Sequence, residues 1–368
     1  MNFNAVIVRY GEISLKGKNR IQFEKKLKSD IERFLESSVG GFSTVSLKRG
    51  RIYIRGIEEV PQLEKVLGIY SYSPALEIEK NMETLKKSIY HFFPPLSKAK
   101  SFRVSCQRID KKFEYVSMEV ESILGEMVKK ETGAAVDLKN HDFNLQVEIG
   151  EDHIYLFSEK IRGFGGLPYG TAGKLVSLMS SGIDSPVATF LMMKRGVVPV
   201  LLHFKMTEED FQKVQQLKEK LEEYTAGEKV ELVTIPRDDI FKGRFPQLYR
   251  NQRYHSYICI LCKHLMHRHA GEVARQHGVL GIITGDNISQ VASQTLKNLY
   301  AYRTVSGLPV YSPLIGFDKE ETIRIARKIG TYDISVRRAD ACTPPKSPKT
   351  GVNLNAFKRI LQETGLDT

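Results

Sequence analysis

The stretch LVSLMSSGIDSPVATFLMMKRG carries the densest chemical signal in the 368-residue chain. A short apolar strand ends at Met179, Ser180-Ser181-Gly182-Ile183-Asp184-Ser185 makes a tight turn, and Pro186 opens a helix. Proline costs nothing in a first helical turn, where its missing N–H would have no partner anyway. Small residues let backbone N–H groups converge on an anion, and the helix N-terminus adds favourable partial charge. Ser180, Ser181 and Ser185 can donate hydroxyl hydrogen bonds to the same anion. Asp184 would repel phosphate unless a cation stood between them, so its expected role is to serve Mg²⁺. A Walker loop fails on spacing although Gly173-Lys174 lies just upstream. Pro168 stands where its first Gly should be, and Leu175 follows the lysine where Ser or Thr is required. The bland alternative is a Ser/Gly turn that merely caps a helix; the strand–turn–helix context weighs against it.

Thiols are the second signal. Cys259 and Cys262 in SYICILCKHLMHRH share one face of an expected helix. Cys342 lies far off in DACTPPKSPK, a segment fixed by Pro344-Pro345, with Lys346 and Lys349 near enough to activate a thiolate. Four cysteines in so long a chain cannot be a disulfide scaffold. Cys106 falls in an expected strand and reads as a buried thiol.

The elements that must position these groups follow from periodicity. Leu175–Met179, Val198–His203, Glu231–Ile235 and Gly281–Thr284 read as buried strands. They alternate with helices at Pro186–Arg195, Glu208–Tyr224, about 253–276 and Glu320–Ile329, the pattern of a doubly wound parallel sheet. Upstream, IRGFGGLPYGTAGK is a glycine-rich hinge. Ala5–Tyr10, a helix over Arg20–Leu35, strands at Thr44–Leu47 and Arg51–Ile54, and a short helix over Val60–Leu67 make a small α+β unit of ferredoxin-like kind. A second small unit begins near Ile69. It comprises a helix over Met82–Phe93 ended by Pro94-Pro95, a strand at Ser101–Gln107, a helix from about Tyr115 to Glu131, and strands at Leu145–Ile149 and His153–Ser158.

Composition sets outer bounds. At 41% hydrophobic residues the chain can build real cores, and no run approaches the roughly 18 apolar residues of a membrane span. The start shows no signal-peptide pattern, so a soluble, cytoplasmic protein without a membrane partner is expected. The net charge of +12 is spread over both halves, which a solvated surface or a polyanionic partner would explain. Lys16, Lys18, Arg20, Lys25, Lys26 and Lys28 cluster at the first helix, and Lys111, Lys112, Lys129 and Lys130 lie in the second unit. Such side chains could contact RNA phosphates, although a charge run is usually a solvated face.

The serine-rich turn resembles the PP-loop (SGGxDS) of ATP pyrophosphatases, which cleave ATP between the α- and β-phosphates and adenylate a substrate. Ser181 stands where that loop usually has glycine, and a Cβ there should narrow the approach of phosphate. Gly11-Glu12, Leu15-Lys16-Gly17, Asn19-Arg20 and Phe23 are similar to the opening of the tRNA 4-thiouridine synthetases, the ThiI family. Arg162-Gly163, Gly165-Gly166-Leu167-Pro168 and Gly170-Thr171 match its hinge. Thr284-Gly285-Asp286, Gln290 to Leu296 and Pro313-Leu314-Ile315-Gly316 match its later nucleotide-site segments.

The resemblance implies an α/β chain: an N-terminal ferredoxin-like α+β domain (1–57), a THUMP RNA-binding domain (58–160), a linker (161–174) and a doubly wound parallel-sheet PP-loop ATP pyrophosphatase domain (175–368). It implies ATP contacts at Leu178, Met179, Ser180, Ser181, Gly182, Ser185, His203, Phe204, Lys263, Gly285 and Gln294, with catalytic roles for Asp184 and Cys342. Phe204 can stack on adenine and Lys263 can face phosphate, with ordinary core packing the alternative for His203 and Phe204. Lys16, Lys18, Arg20, Lys111, Lys112, Lys129 and Lys130 become RNA contacts, and a homodimer is expected. Cys342 corresponds to the sulfur-handling cysteine. With no rhodanese extension expected after Thr368, Cys259, Cys262 and Cys342 resemble the three thiolates of iron–sulfur-dependent tRNA thiolases. A [4Fe–4S] cluster, a persulfide or disulfide relay, zinc completed by His264 or His267, and structural thiols all stay open.

The implied activity is ATP-dependent thiolation of uridine 8 in tRNA to 4-thiouridine. ATP and Mg²⁺ serve it, with sulfur from a cysteine desulfurase persulfide or free sulfide. A second implied role supplies sulfur, through a sulfur-carrier protein, to thiamine thiazole synthesis. The competing classes are a PP-loop amide-forming ligase and a non-catalytic tRNA-binding protein.

Overall fold

The computed structural model describes residues 3–38, 42, 44–48, 50–57, 59–338 and 345–367, and the chain divides after Pro168 into two compact units. In the first unit, β1 (Ala5–Tyr10), β2 (Thr44–Lys48), β3 (Arg51–Arg55), β4 (Ile69–Glu79), β5 (Ser101–Arg108), β6 (Ala135–Val136), β7 (Phe143–Ile149) and β8 (His153–Phe157) line up as β2-β3-β1-β4-β8-β7-β5-β6. The short β9 (Ile161–Arg162) pairs with the start of β4.

The long β4 joins the two halves of this unit. It pairs with β1 up to Ala75 and with β8 from Leu76 onward. Beside this shared strand, the carboxylate of buried Glu148 lies 3.4 Å from Arg9 and 3.2 Å from Arg51. Helix α1 (Arg20–Ser38) buries Leu27, Ile31 and Leu35, as its spacing predicts, but leaves Ile21 in solvent. The expected helix over Val60–Leu67 is only a 3₁₀ turn at Leu63–Lys65, because Pro61 and the left-handed Gly68 leave no room for more. Pro94-Pro95 do not stop the next helical stretch. After α2 (Met82–Ser88) and a 3₁₀ turn, both prolines occupy the first turn of a new segment, Phe93–Leu96, where their missing N–H is harmless. Helix α3 (Ser117–Thr132) ends at Gly133 in the left-handed conformation.

The second unit is an all-parallel sheet in the order β12-β11-β10-β13-β14, formed by β10 (Lys174–Met179), β11 (Val198–Lys205), β12 (Glu231–Pro236), β13 (Ile282–Ile283) and β14 (Val310–Tyr311). The chain leaves β10 to one side for β11 and returns on the other for β13. The carboxyl end of β10 is therefore the topological switch point where ligands of such sheets bind. Helices α4 (Asp184–Met193), α5 (Glu208–Glu222), α6 (Ile258–Gln276), α7 (Leu296–Arg303), α8 (Lys319–Lys328) and α9 (Leu354–Thr364) complete the framework used below. Helix α6 starts five residues later than its spacing predicts, after a separate turn at Gln252–His255, so Cys259 lies in its first turn.

Candidate active site

The serine-rich loop leaves the switch point and enters α4 directly. Helical geometry begins at Asp184, two residues before the proline, which still falls within the first turn. The three hydroxyls do different work. Ser185 is buried and closes the loop on itself: its Oγ accepts from the Ser180 N–H at 2.9 Å and donates to the Ser180 carbonyl at 3.0 Å. Ser181 is also buried, its hydroxyl facing the Asp210 carboxylate. Only Ser180 and Gly182 are exposed at the mouth of this loop.

Ser181 is not in the left-handed region, so a side chain is tolerated where the PP-loop usually has glycine. Its hydroxyl faces the Asp210 carboxylate and not the mouth of the loop. Burial raises the Asp210 pKa, but the nearby His203 ring and Ser181 hydroxyl outweigh it and hold the carboxyl below its usual range. The His203 ring donates from Nδ1 to the Met179 carbonyl at 3.0 Å and turns Nε2 toward Asp210, 3.2 Å away. The ends of β10 and β11, the loop and α5 are thus tied through polar groups.

Asp184 is gripped from two distant segments. Lys319, at the start of α8, places Nζ 2.7 Å from Oδ1, and Gln290 donates to Oδ2 at 3.0 Å. After β13 the chain passes against the loop at Gly285. A Cβ there would lie 2.9 Å from both the Asp184 carbonyl carbon and the Ser185 nitrogen. The next residue, Asp286, is the buried hub of the site. Lys263 from α6 lies 3.2 Å from it, Thr284 donates at 3.1 Å, and Gln294 and Arg303 each stand at 3.4 Å. Burial alone would raise its pKa, but the charges of Lys263 and Arg303 hold the carboxyl far below the ordinary range. Lys319, Gln290, Asp210 and Arg303 carried no assigned role from sequence. Gln290 and Asp286 stand within matched motifs; Lys319 has no local signal.

Leu178 and Met179 end β10, His203 and Phe204 end β11, and Lys263, Gly285 and Gln294 surround Asp286. The Phe204 ring does not fit its expected stacking role. It is enclosed in the core beneath α6 and lies 6.4 Å from the His269 ring, offering no open face to a purine.

Cys259 and Cys262 are half-buried on one face of α6; Cys342 lies outside the described residues. Among the described residues no three His, Cys, Asp or Glu side chains gather closely enough to hold a metal ion. The zinc reading loses support because His264 and His267 are core residues packed on Phe357 and Tyr302. Burial lowers their pKa values to about 4 and about 3. Of the expected RNA contacts, Lys18, Lys111, Lys112, Lys129 and Lys130 are exposed. Arg20 is held by Glu24 at 2.6 Å, while Lys16 lies 3.9 Å from Glu12. No helix among the described residues is long and apolar enough to cross a membrane.

A phosphate-type loop at the switch point, flanked by a buried acid–lysine hub, defines a PP-loop nucleotide-binding domain. The preceding unit has the architecture of a ferredoxin-like domain and a THUMP domain joined through one strand. Family models agree segment by segment: ThiI ferredoxin-like domain at 5–73, THUMP domain at 79–159, and thiamine biosynthesis protein (ThiI) at 170–366. The chain belongs to the ThiI family. A probable tRNA sulfurtransferase of Thermococcus kodakarensis is 40% identical, covering 97% of this chain and 96% of its own. Another, of Methanothermobacter thermautotrophicus, is 38% identical over 95% and 91%. Among solved structures, a 4-thiouridine synthetase–RNA complex with bound ATP matches all of this chain and 96% of its own, with TM-score 0.86 and 34% identity. PH1313 from Pyrococcus horikoshii matches 89% of this chain and 99% of its own, with TM-score 0.69 and 29% identity.

Proposed function

We propose that this chain is an ATP-dependent tRNA sulfurtransferase that converts uridine 8 to 4-thiouridine. The observation that carries the reading is the loop at the end of β10, with Asp184 in the first turn of α4 and the Lys263–Asp286–Gln294 hub beside it. ATP takes the loop as substrate, its phosphates on the α4 N-terminus. The uridine O4 attacks the α-phosphate, pyrophosphate leaves, and the adenylated O4 becomes a good leaving group. Sulfide then attacks C4 and AMP departs; where the sulfur is carried as a Cys342 persulfide, a second thiol must reduce the resulting C4–S–S–Cys342 disulfide to free 4-thiouridine.

One carboxylate beside substrate phosphates suits Mg²⁺, which prefers few protein ligands. Asp184 would hold it, and the ion would neutralise charge on the departing pyrophosphate. The Lys319 and Gln290 contacts keep the carboxylate aimed until then. Cys259 and Cys262 supply two thiolates of one face. Iron and acid-labile sulfide measured on anaerobically purified protein separate a [4Fe–4S] cluster completed by Cys342 from a persulfide relay.

The test is anaerobic incubation with ATP, Mg²⁺, sulfide and unmodified tRNA, followed by digestion and mass analysis of nucleosides. ATP-dependent 4-thiouridine supports the reading. AMP without thiolated base refutes the sulfur route, and tRNA binding without ATP turnover refutes catalysis. Cys342→Ser should release pyrophosphate yet form no 4-thiouridine; normal thiolation by that variant would remove the cysteine from the route.

A further inference from the structure

The first unit carries a cationic surface that the nucleotide site does not use. Tyr70, the second residue of β4, is 44% exposed although glycine backbone crowds it. A Cβ on Gly11 would stand 3.5 Å from the tyrosine ring, and one on Gly165 3.9 Å. The Arg162 guanidinium lies over the same ring, 4.7 Å from its centroid.

The arginine is delivered there by backbone. Arg162 pairs with Ser71 across β9 and β4, the Gly163 N–H donates to the Tyr70 carbonyl at 3.0 Å, and the Gly165 N–H donates to the Ile69 carbonyl at 2.8 Å. Any side chain at Gly163 would break this zipper, since a Cβ would fall 2.2 Å from the Ile69 carbonyl oxygen. A guanidinium lying on an aromatic face keeps its in-plane N–H groups for another partner, and Arg162 is exposed.

Charge makes that partner an anion. Lys160, two residues before Arg162, is exposed, and its pKa is lowered first by desolvation and then by the charges of Arg9 and Arg51. Those two arginines share the single carboxylate of Glu148. The turn that follows Gly11 adds Lys16 and exposed Lys18, with Leu15 standing 82% exposed between Gly11 and them. Cations gathered in excess of carboxylates are relieved by a polyanion, and a half-exposed ring beside them suits an unstacked base or a ribose.

We propose that Tyr70, Lys160 and Arg162 form an RNA-docking surface, Arg162 on a backbone phosphate and the Tyr70 ring against the adjoining nucleoside. The surface rests on the tRNA reading above and adds to it a contact that charge runs in the sequence do not mark. Tyr70 and Arg162 are 92 positions apart and meet only through the β4–β9 pairing.

Equilibrium binding of unmodified tRNA by the full chain, measured across a salt series, tests it with R162A, R162K and Y70L. R162A should weaken binding about tenfold and reduce the slope of log affinity against log salt by about 1. R162K should restore the slope without the full affinity, because lysine carries the charge but not the plane. Y70L should weaken binding about fivefold or more with the slope unchanged. Melting curves accompany each variant; Arg162 is exposed, so R162A decides the matter even if Y70L melts early. Wild-type affinity and slope in R162A would overturn the surface, even if an acidic protein were found to bind there instead. Failure of the wild-type chain to bind tRNA would overturn the proposed function itself, which separates the two.

Discussion

Gly285 is the position where fold and catalysis are hardest to separate, and Gly285→Ala tests both. The added methyl carbon would stand 2.9 Å from the Asp184 carbonyl carbon and the Ser185 nitrogen, and 3.1 Å from the Ser185 Cα. Ordinary carbon contacts lie at about 3.5–4.0 Å, so the two segments must part by roughly 0.6 Å. All three atoms are backbone in the first turn of α4, so no rotamer can yield. Gly285 does not have a left-handed φ, so the cost is steric and not conformational. Overpacking of this kind costs about 1–3 kcal/mol. In a unit of this size each kcal/mol is worth about 2–4 °C, so the ATP-free protein should melt about 2–12 °C lower. The shift moves the loop itself, so kcat/KM for ATP in pyrophosphate release should fall about tenfold or more. Gly182→Ala is the control. Its Cβ would meet only the Ser180 hydroxyl, at 3.6 Å, and its melting temperature should stay at the wild-type value. Wild-type melting and wild-type kcat/KM in G285A would refute the close-approach argument.

Asp184→Asn should leave melting nearly unchanged, because a part-exposed ion pair with Lys319 contributes only about 0–1 kcal/mol. Pyrophosphate release should nevertheless drop on the order of 100-fold, and full release would sink the assigned role. Ser181→Ala removes one donor from the buried Asp210 carboxylate, at a cost of about 1–3 kcal/mol. Asp210 is depressed in the fold, so its contribution is present above the unfolded pKa and lost as pH falls. S181A should therefore acid-melt at higher pH than wild type, and superimposable melts from pH 3 to 6 would disprove the bond. His264 and His267 are also depressed, to about 4 and about 3, and the unfolded chain takes up their protons first. Stability they confer is whole above pH 6.5 and lost below it, about 2 kcal/mol each by pH 5. His267→Phe should flatten that slope in calorimetry between pH 7 and 5; an unchanged slope would contradict neutral burial.

What was legible in the sequence is what local pattern encodes. The loop announces itself because a buried strand, a run of small residues and a first-turn proline are contiguous, and α1 and α3 carry their own periodicity and stop signals. The 11-residue β4 escaped for a local reason: Pro74 and two serines, Ser71 and Ser73, within IYSYSPALEIE weaken the strand pattern. A strand that changes partners at Ala75 reads from sequence as a boundary between units, when it is the element that fuses them. The site divides in the same way. Asp184 was found from its neighbours, but its grip by Lys319 spans 135 positions and depends on how α8 lands, which no window of residues reports. Ser181 shows the same division. Read as an isolated departure from a glycine motif, it suggests a crowded phosphate site; with Asp210 in place, the same hydroxyl turns inward and braces the loop. That side-chain direction is set by α5 and β11 packing against the loop, not by the motif.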